Sequence, residues 1–242
     1  MRIAVYNQMF GLDGRKFSKN LFGHYYLHYQ GNQKRVLSRI DLNETLKLAG
    51  EAKANILGLC EIYEGTQEEI KRKLRKFGYR HFYLGIGHKF KFNNQRVMEL
   101  VASKVKGKQL NIKDWPLKNT LGGGGGFVVC KFKDFTLFHV HLALPSRGYF
   151  NEQIAYLQKM IKNTRGKIIL MGDFNLSYKK LKSYFPEFEI ATKEVKTCST
   201  TPLLKWFFWK DCDHIFIKGF KPKNLGVFEG RSDHKLIWAE VK

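Results

Sequence analysis

The residues able to do chemistry in this chain sit where apolar runs end. Gly172-Asp173-Phe174-Asn175 follows the apolar run 167–171, so a carboxylate and an amide stand at the carboxyl end of what reads as a buried strand. Gly, Asp and Asn also form turns, so this tetrapeptide alone does not separate a site from a loop. Glu61 closes the apolar run 56–60, and Asn7 follows the run 2–6 in the same manner. Asp213-His214 opens a late strand, and Ser232-Asp233-His234 precedes the last one. His141 lies in the run 136–142, with His139 two residues earlier on the same face. Taken singly, a strand-end Glu is usually just solvated, and an Asp beside a His is commonly a loop pair. Taken together, Asn7, Glu61, His141, Asp173, Asn175, Asp213, Asp233 and His234 form a set of oxygen and imidazole groups gathered at strand ends. Hard oxygen donors with few sulfurs suit Mg²⁺ or Mn²⁺ and not structural zinc. His139-x-His141 reads as a zinc pair only with a Cys or a third His beside it, and the adjoining sequence supplies neither. His24 and His28 are spaced i, i+4 but lack the Glu of a zincin, so they read as a surface loop.

These groups need a framework, and the periodicity supplies one. Strands are expected at 2–6, 56–60, 98–103, 127–132, 136–142, 167–171, 213–217 and 235–241. Helices are expected at 41–54, with Asp41 and Glu44 as a capping box, and at 66–77, capped by Thr66 and stopped by Gly78. A third helix is expected at 151–162 through Ile154, Leu157 and Ile161. Residues 12–35 show no period and read as a loop. Helices alternate with strands in both halves while 127–142 reads as a hairpin, which argues for an α/β chain with mixed sheets. Gly122 to Gly126 lacks the Gly-Lys-Ser/Thr of a P-loop and reads as a turn before the strand at 127.

The chain has 242 residues and a formal net charge of +22, a balance that calls for an anionic partner. Nucleic acid is the first candidate and an anionic membrane surface the second. No apolar run reaches the roughly 18 residues that cross a bilayer, and the first residues lack the apolar segment of a signal peptide, so a cytoplasmic protein is expected. Cys60, Cys130, Cys198 and Cys212 form no Cys-x-x-Cys pair and are expected as free thiols. No repeat or linker divides the chain, so one domain spanning 1–242 is expected.

Seven pieces, in order, resemble the endonuclease/exonuclease/phosphatase superfamily, the DNase I-like and exonuclease III-like phosphodiesterases. They are Ile3-Ala4-Val5-Tyr6-Asn7, Leu57-Gly58-Leu59-Cys60-Glu61, Ala102-Ser103-Lys104, His139-Val140-His141-Leu142, Gly172-Asp173-Phe174-Asn175, Asp213-His214-Ile215-Phe216 and Ser232-Asp233-His234. The chain departs from the family pattern at Tyr6, where Trp is frequent, at Cys60, where Gln is usual, and at His214, where Tyr is usual. The resemblance implies a four-layer α/β (α+β) sandwich of two packed mixed β-sheets flanked by helices, DNase I-like, with the site at one edge. It further implies that Asn7 and Glu61 hold Mg²⁺, or Mn²⁺ in its place, with Asp233 nearby. Asp173 then orients and deprotonates water, Asn175 fixes water or phosphate, His234 contacts the phosphate while Asp213 holds its imidazole, and His141 is a second phosphate donor. Lys104 of the third piece is expected on the substrate.

Substrate class is read from charge and aromatics. Basic residues cluster at 71–76, 89–96, 104–108, 179–182 and 218–223, and several clusters hold aromatics, as in Lys89-Phe90-Lys91-Phe92. Trp206-Phe207-Phe208-Trp209 precedes the Asp213 strand, and in similar abasic-site enzymes aromatics there form a pocket, so Trp206 or Trp209 is expected to line the cleft, against a plain core-packing reading. The resulting expectation is a monomeric Mg²⁺-dependent endo- or exonuclease on DNA or RNA, with a role in DNA repair. The alternatives are a phosphatase or phosphodiesterase acting on phosphoinositide, sphingolipid or small phosphate esters, and a nucleic-acid-binding protein without catalysis.

Overall fold

The computed structural model describes residues 1–12, 40–90, 95–112, 115–116, 126–146, 148–199 and 209–242. The loop expected at 12–35 beyond Leu12, His24 and His28, Lys91-Phe92, Gly122 to Gly125, and Trp206 all lie outside these residues. The described strands, in chain order, are β1 (Arg2–Asn7), β2 (Ile56–Tyr63), β3 (His81–Lys89), β4 (Arg96–Ser103), β5 (Lys108–Gln109), β6 (Gly126–Lys131) and β7 (Phe135–His141). They continue with β8 (Lys167–Asp173), β9 (Glu189–Ile190), β10 (Cys198–Ser199), β11 (Trp209–Lys210), β12 (Asp213–Lys218), β13 (Pro222–Glu229) and β14 (Lys235–Val241). The described α-helices are α1 (Asn43–Ala52), α2 (Gln67–Leu74), α3 (Phe150–Lys162) and α4 (Tyr178–Tyr184).

One six-stranded sheet has the order β13-β14-β1-β2-β4-β3 and the other the order β5-β6-β7-β8-β12-β9. Each contains one parallel pair, β1 with β2 and β7 with β8, among antiparallel neighbours. Alternation along the strands sends one side-chain row inward and the next outward. The inner rows, including Ile3, Val5, Ile56, Val128, Ile169, Met171, Ile215 and Ile237, form a buried layer between the sheets. The outer row of the first sheet packs Leu57 and Leu59 against Leu46, Ala49, Ile70 and Leu74 of α1 and α2. The outer row of the second packs Phe138, Val140 and Leu170 against Ile154, Leu157 and Ile161 of α3. The expected four-layer DNase I-like sandwich of helix, sheet, sheet and helix is therefore present. Among the described residues, no helix is long and apolar enough to cross a membrane.

Local details refine the sequence reading. Asp41 caps from outside α1, its Oδ1 accepting the Asn43 N–H at 2.9 Å. Thr66 does not cap α2; its hydroxyl donates to the Tyr63 carbonyl at 2.8 Å instead. Gly78 stops the following turn at φ 85°, where a side chain would be strained. The expectation of four free thiols is corrected. Cys198 and Cys212 form a disulfide with Cα atoms 5.9 Å apart, while Cys60 and Cys130 are free and buried. Fourteen residues separate the pair, and the antiparallel pairing of β10 with β11 brings them together.

Candidate active site

The strand register collects the site. Asp173 ends β8 opposite both His141 at the end of β7 and Asp213 at the start of β12. Asn7 at the end of β1 pairs with Cys60 on β2, one residue before Glu61. His234 immediately precedes β14 and bridges Cys198. The expected set thus meets at one end of the two sheets.

Two backbone features make this possible. The register between β2 and β4 slips between Leu59 and Ile62, and Glu61 takes a left-handed φ of 56°. Leu59 and Ile62 both face the helices. Glu61 is therefore the extra residue of a bulge, which re-aims its carboxylate to 3.7 Å from His141 Nε2. On β8, Gly172 has φ 144°, and a Cβ there would lie 1.8 Å from the Val140 carbonyl oxygen. Only glycine lets β7 and β8 approach closely enough to set His141 beside Asp173.

Asp173 is the hub. Its Oδ2 accepts from Asn7 Nδ2 at 3.0 Å and stands 3.6 Å from His141 Nε2 and 3.7 Å from His234 Nε2. Its Oδ1 accepts the backbone N–H of Asn175 at 2.8 Å, and Asn175 Nδ2 donates to the Leu142 carbonyl at 2.8 Å. Asp213 Oδ2 meets His234 Nδ1 at 2.7 Å, the distance of a charge-assisted hydrogen bond. Ser232 ties the loop down, its hydroxyl donating to the Asn7 carbonyl at 2.7 Å. Thr197 holds the other flank by accepting the backbone N–H groups of Cys212 and Asp213.

Electrostatics divide the site into cations and anions. Burial alone would depress His141, but the Glu99 contact and the charges of Asp173, Glu99 and Glu61 override it and lift the imidazole to about 9. Burial opposes a charged His234 as well, and Asp213 followed by Asp173 raises it well above its ordinary range. Burial pushes Asp213 upward and the His234 cation pulls it back, so the pair shares one proton in a tight ion pair. Glu61 rises to about 7 because burial disfavours its charge, with His141 opposing and Asp233 adding to the rise. The His141 and His234 cations do not offset the burial of Glu61, whose charge therefore remains undercompensated. Asn7, Glu61 and Asp233 are hard oxygen donors, so the donor set fits a divalent cation of the Mg²⁺ or Mn²⁺ type. The groups Asp173, Asp213 and His234 also converge, with ligand atoms within 4.8 Å of one another.

Not every expected residue joins them. Lys104 is brought to the opposite end of the sheets: its N–H donates to the Asn55 carbonyl at 2.9 Å and its Nζ sits over the Tyr79 ring at 5.2 Å. Ser103 pairs with Ile56, five residues along β2 from Glu61, or roughly 17 Å at strand rise. Lys104 is thus corrected from a substrate contact to a far-end residue, because the strand it closes runs away from the site. Trp209 pairs through its backbone with Ser199, whose N–H donates to the Asp233 carbonyl. His214 faces away, bonding the Leu176 carbonyl at 2.9 Å. Sequence reasoning misses Glu99, fully buried on β4, with Oε1 3.4 Å from His141 Nδ1 and Oε2 3.8 Å from His139 Nε2. Its one signal is a single carboxylate inside the apolar run Val97-Met98-Glu99-Leu100-Val101.

Two mixed sheets thus deliver carboxylates, amides and paired imidazoles to one edge. Residues 20–234 match the model of the Endonuclease/Exonuclease/phosphatase family, and the chain belongs to that family. No curated protein matches it in sequence. Among solved structures, an endonuclease/exonuclease/phosphatase family protein from Leptotrichia buccalis C-1013-b is 15% identical with a TM-score of 0.66, covering 100% of this chain and 99% of that one. A mannosyl-6-phosphatase from Bacteroides thetaiotaomicron VPI-5482 is 17% identical with a TM-score of 0.64 over 100% and 99%. ANGEL2, a 2',3'-cyclic phosphatase in complex with adenosine-2',3'-vanadate, is 13% identical with a TM-score of 0.61 over 99% and 94%.

Proposed function

We propose that this chain is a Mg²⁺-dependent phosphodiesterase that cleaves nucleic acid, DNA or RNA, with a role in DNA repair. One observation carries the reading: the Asp173 carboxylate lies between two imidazoles, at 3.6 and 3.7 Å, each held as a cation by its own carboxylate partner. A phosphodiester carries a negative charge that repels hydroxide, and two cationic N–H donors flanking a water-binding carboxylate answer both needs. Asn7, Glu61 and Asp233 would hold the cation, which when bound supplies Lewis-acid polarisation of a phosphate oxygen. Asp173 orients a water and accepts its proton. The Asn7 amide and the Asn175 backbone fix the two oxygens of that carboxylate, so its attack geometry is set before substrate arrives. His141 and His234 donate to phosphate oxygens, and Asp213 locks the His234 ring so that Nε2 faces inward.

The choice of nucleic acid rests on the net charge of +22 and on Lys179 and Lys180 in α4, directly after the Asn175 loop. The test uses labelled duplex DNA with one abasic site, intact duplex and single strand, each with Mg²⁺ and with chelator. Mg²⁺-dependent cleavage, lost in Asp173→Asn by at least the 10²–10⁴-fold typical of a missing general base, supports the reading. Turnover of an inositol phosphate or sugar phosphate with no nucleic-acid cleavage overturns it in favour of a phosphatase. Binding of DNA without turnover of any ester leaves only a binding protein.

A further inference from the structure

Beneath the site just described lies a second group of ligating side chains, of which the proposed reaction uses only Glu99, through His141. Cys60, Glu99 and His139 come from β2, β4 and β7, so they join both sheets, and all three are fully buried. Cys60 Sγ is 3.7 Å from His139 Nε2, Glu99 Oε2 is 3.8 Å from the same nitrogen, and the three ligand atoms lie within 4.8 Å of one another. Glu99 Oε1 faces the His141 imidazole at 3.4 Å, whereas Oε2 has no hydrogen-bond partner although the side chain is shut off from water. An unsatisfied buried carboxylate is costly, and a cation is one way to satisfy it.

We propose that Cys60, Glu99 and His139 form a structural zinc-type site between the two sheets, separate from the oxygen-lined Mg²⁺ site. Tetrahedral ligands at ordinary zinc bond lengths stand ~3.3–3.6 Å apart, a few tenths of an ångström inside the two separations measured at His139 Nε2. Thiolate and imidazole are ligands that zinc takes and magnesium declines, while carboxylate suits both. One thiolate and one carboxylate bring two negative charges to one divalent ion, with the His139 imidazole neutral and the His141 cation on the other Glu99 oxygen. On binding, the Cys60 thiol releases its proton to solvent as the metal–sulfur bond forms. His139 Nε2 exchanges its contact with the Leu59 carbonyl, at 3.2 Å, for the ion, which leaves the ring proton on Nδ1. The surroundings are cleared for these groups. A Cβ on Gly58 would come within 2.7 Å of the His139 ring, and one on Gly126 within 1.8 Å of Glu99 Cγ. Along the chain no Cys stands near His139, which argues against zinc; the packing of β2 on β7 supplies one. The other Glu99 oxygen faces His141 at 3.4 Å, so an ion on Oε2 would also fix the partner of a phosphate-contacting imidazole.

The full chain, purified and dialysed against excess Mg²⁺ and a mild chelator, is assayed for bound zinc and for binding of Co²⁺ alone. The expected result is retention of about one zinc per chain, as for a buried structural site, in wild type and in Cys130→Ser, with loss in Cys60→Ser. Co²⁺ gives a thiolate charge-transfer band in wild type and Cys130→Ser and none in Cys60→Ser. The wild-type spectrum is informative even where a variant fails to fold. Wild type that retains no zinc and shows no such band, or a band that survives Cys60→Ser, overturns the proposal.

Discussion

The Cys198–Cys212 disulfide closes a strap over the ion pair on which the proposed chemistry depends. The strap runs through Thr197, Cys198 and Ser199. Thr197 accepts from Asp213 and Cys212, its carbonyl accepts from Lys235, and Ser199 donates to Asp233. Cys198 itself bridges His234. Its bond to Cys212, the residue before Asp213, therefore ties both partners of the Asp213–His234 pair to one short segment. The cysteines are 14 residues apart, and a closed loop of this length restricts the unfolded chain by ~3 kcal/mol. In a chain of this size 1 kcal/mol shifts the melting temperature by about 2–4 °C, so Cys198→Ser/Cys212→Ser should melt about 6–12 °C lower. Calorimetry of wild type with and without reductant, beside the double variant, measures this directly. Turnover should fall along with stability, and at temperatures where the variant stays folded the loss should lie in kcat and not in KM, since the strap touches no substrate-binding lysine. A double variant that melts with wild type and is indifferent to reductant would refute the strap as a constraint.

Three further outcomes follow from the site. His141 titrates at about 9, above its ordinary 6.5, so activity that needs its cation is retained below that pH and lost as pH rises through it; Glu99→Gln removes the first of its raising contacts and should move the alkaline limb of the rate profile to lower pH. Glu61 sits near 7, so protons compete with the cation below that pH, and Mg²⁺ affinity measured calorimetrically should fall up to about tenfold per unit as pH drops from 7 to 5; a flat dependence would remove Glu61 from the metal site. Gly172→Ala places a methyl 1.8 Å from the Val140 carbonyl and should abolish soluble folded protein or cut stability by several kcal/mol, read by urea unfolding; a wild-type midpoint would contradict the close approach of β7 and β8.

What is legible in the sequence depends on whether a signal is local. Asp173 and Asn175 follow an apolar strand directly, and Ser232-Asp233-His234 precedes one, so strand-end position is enough to mark them. The parallel pairing of β7 with β8 then does the rest, because strands whose ends carry chemistry deliver it to the same edge. Signals that depend on pairing are not local. The partner of Cys198 is fixed by the pairing of β10 with β11, and the neighbour of His139 is a cysteine 79 residues away. Glu99 hides inside an apolar run because a buried acid has no periodic signature. Lys104 shows the opposite failure. A matching tripeptide marks it as a contact, but strand direction puts the end of β4 far from Glu61. Strand β3 also escapes notice, since its Gly85 and Gly87, which admit the backbone of β6, dilute the apolar pattern.

Strand direction has one more consequence, for electrical asymmetry. Lys106, Lys108, Lys131, Lys133, Lys167, Lys221, Lys223 and Lys242 are exposed at the end where β4, β6 and β12 finish and β8 begins, roughly 20 Å from Asp173 along β8. Such a distance exceeds the screening length of physiological salt, so that lysine pole does not tune the protons of the imidazoles. Under the proposed function, any grip of a polyanion by this pole would answer to ionic strength, and hydrolysis at the far edge to acidity. Selection or design can alter grip without touching turnover.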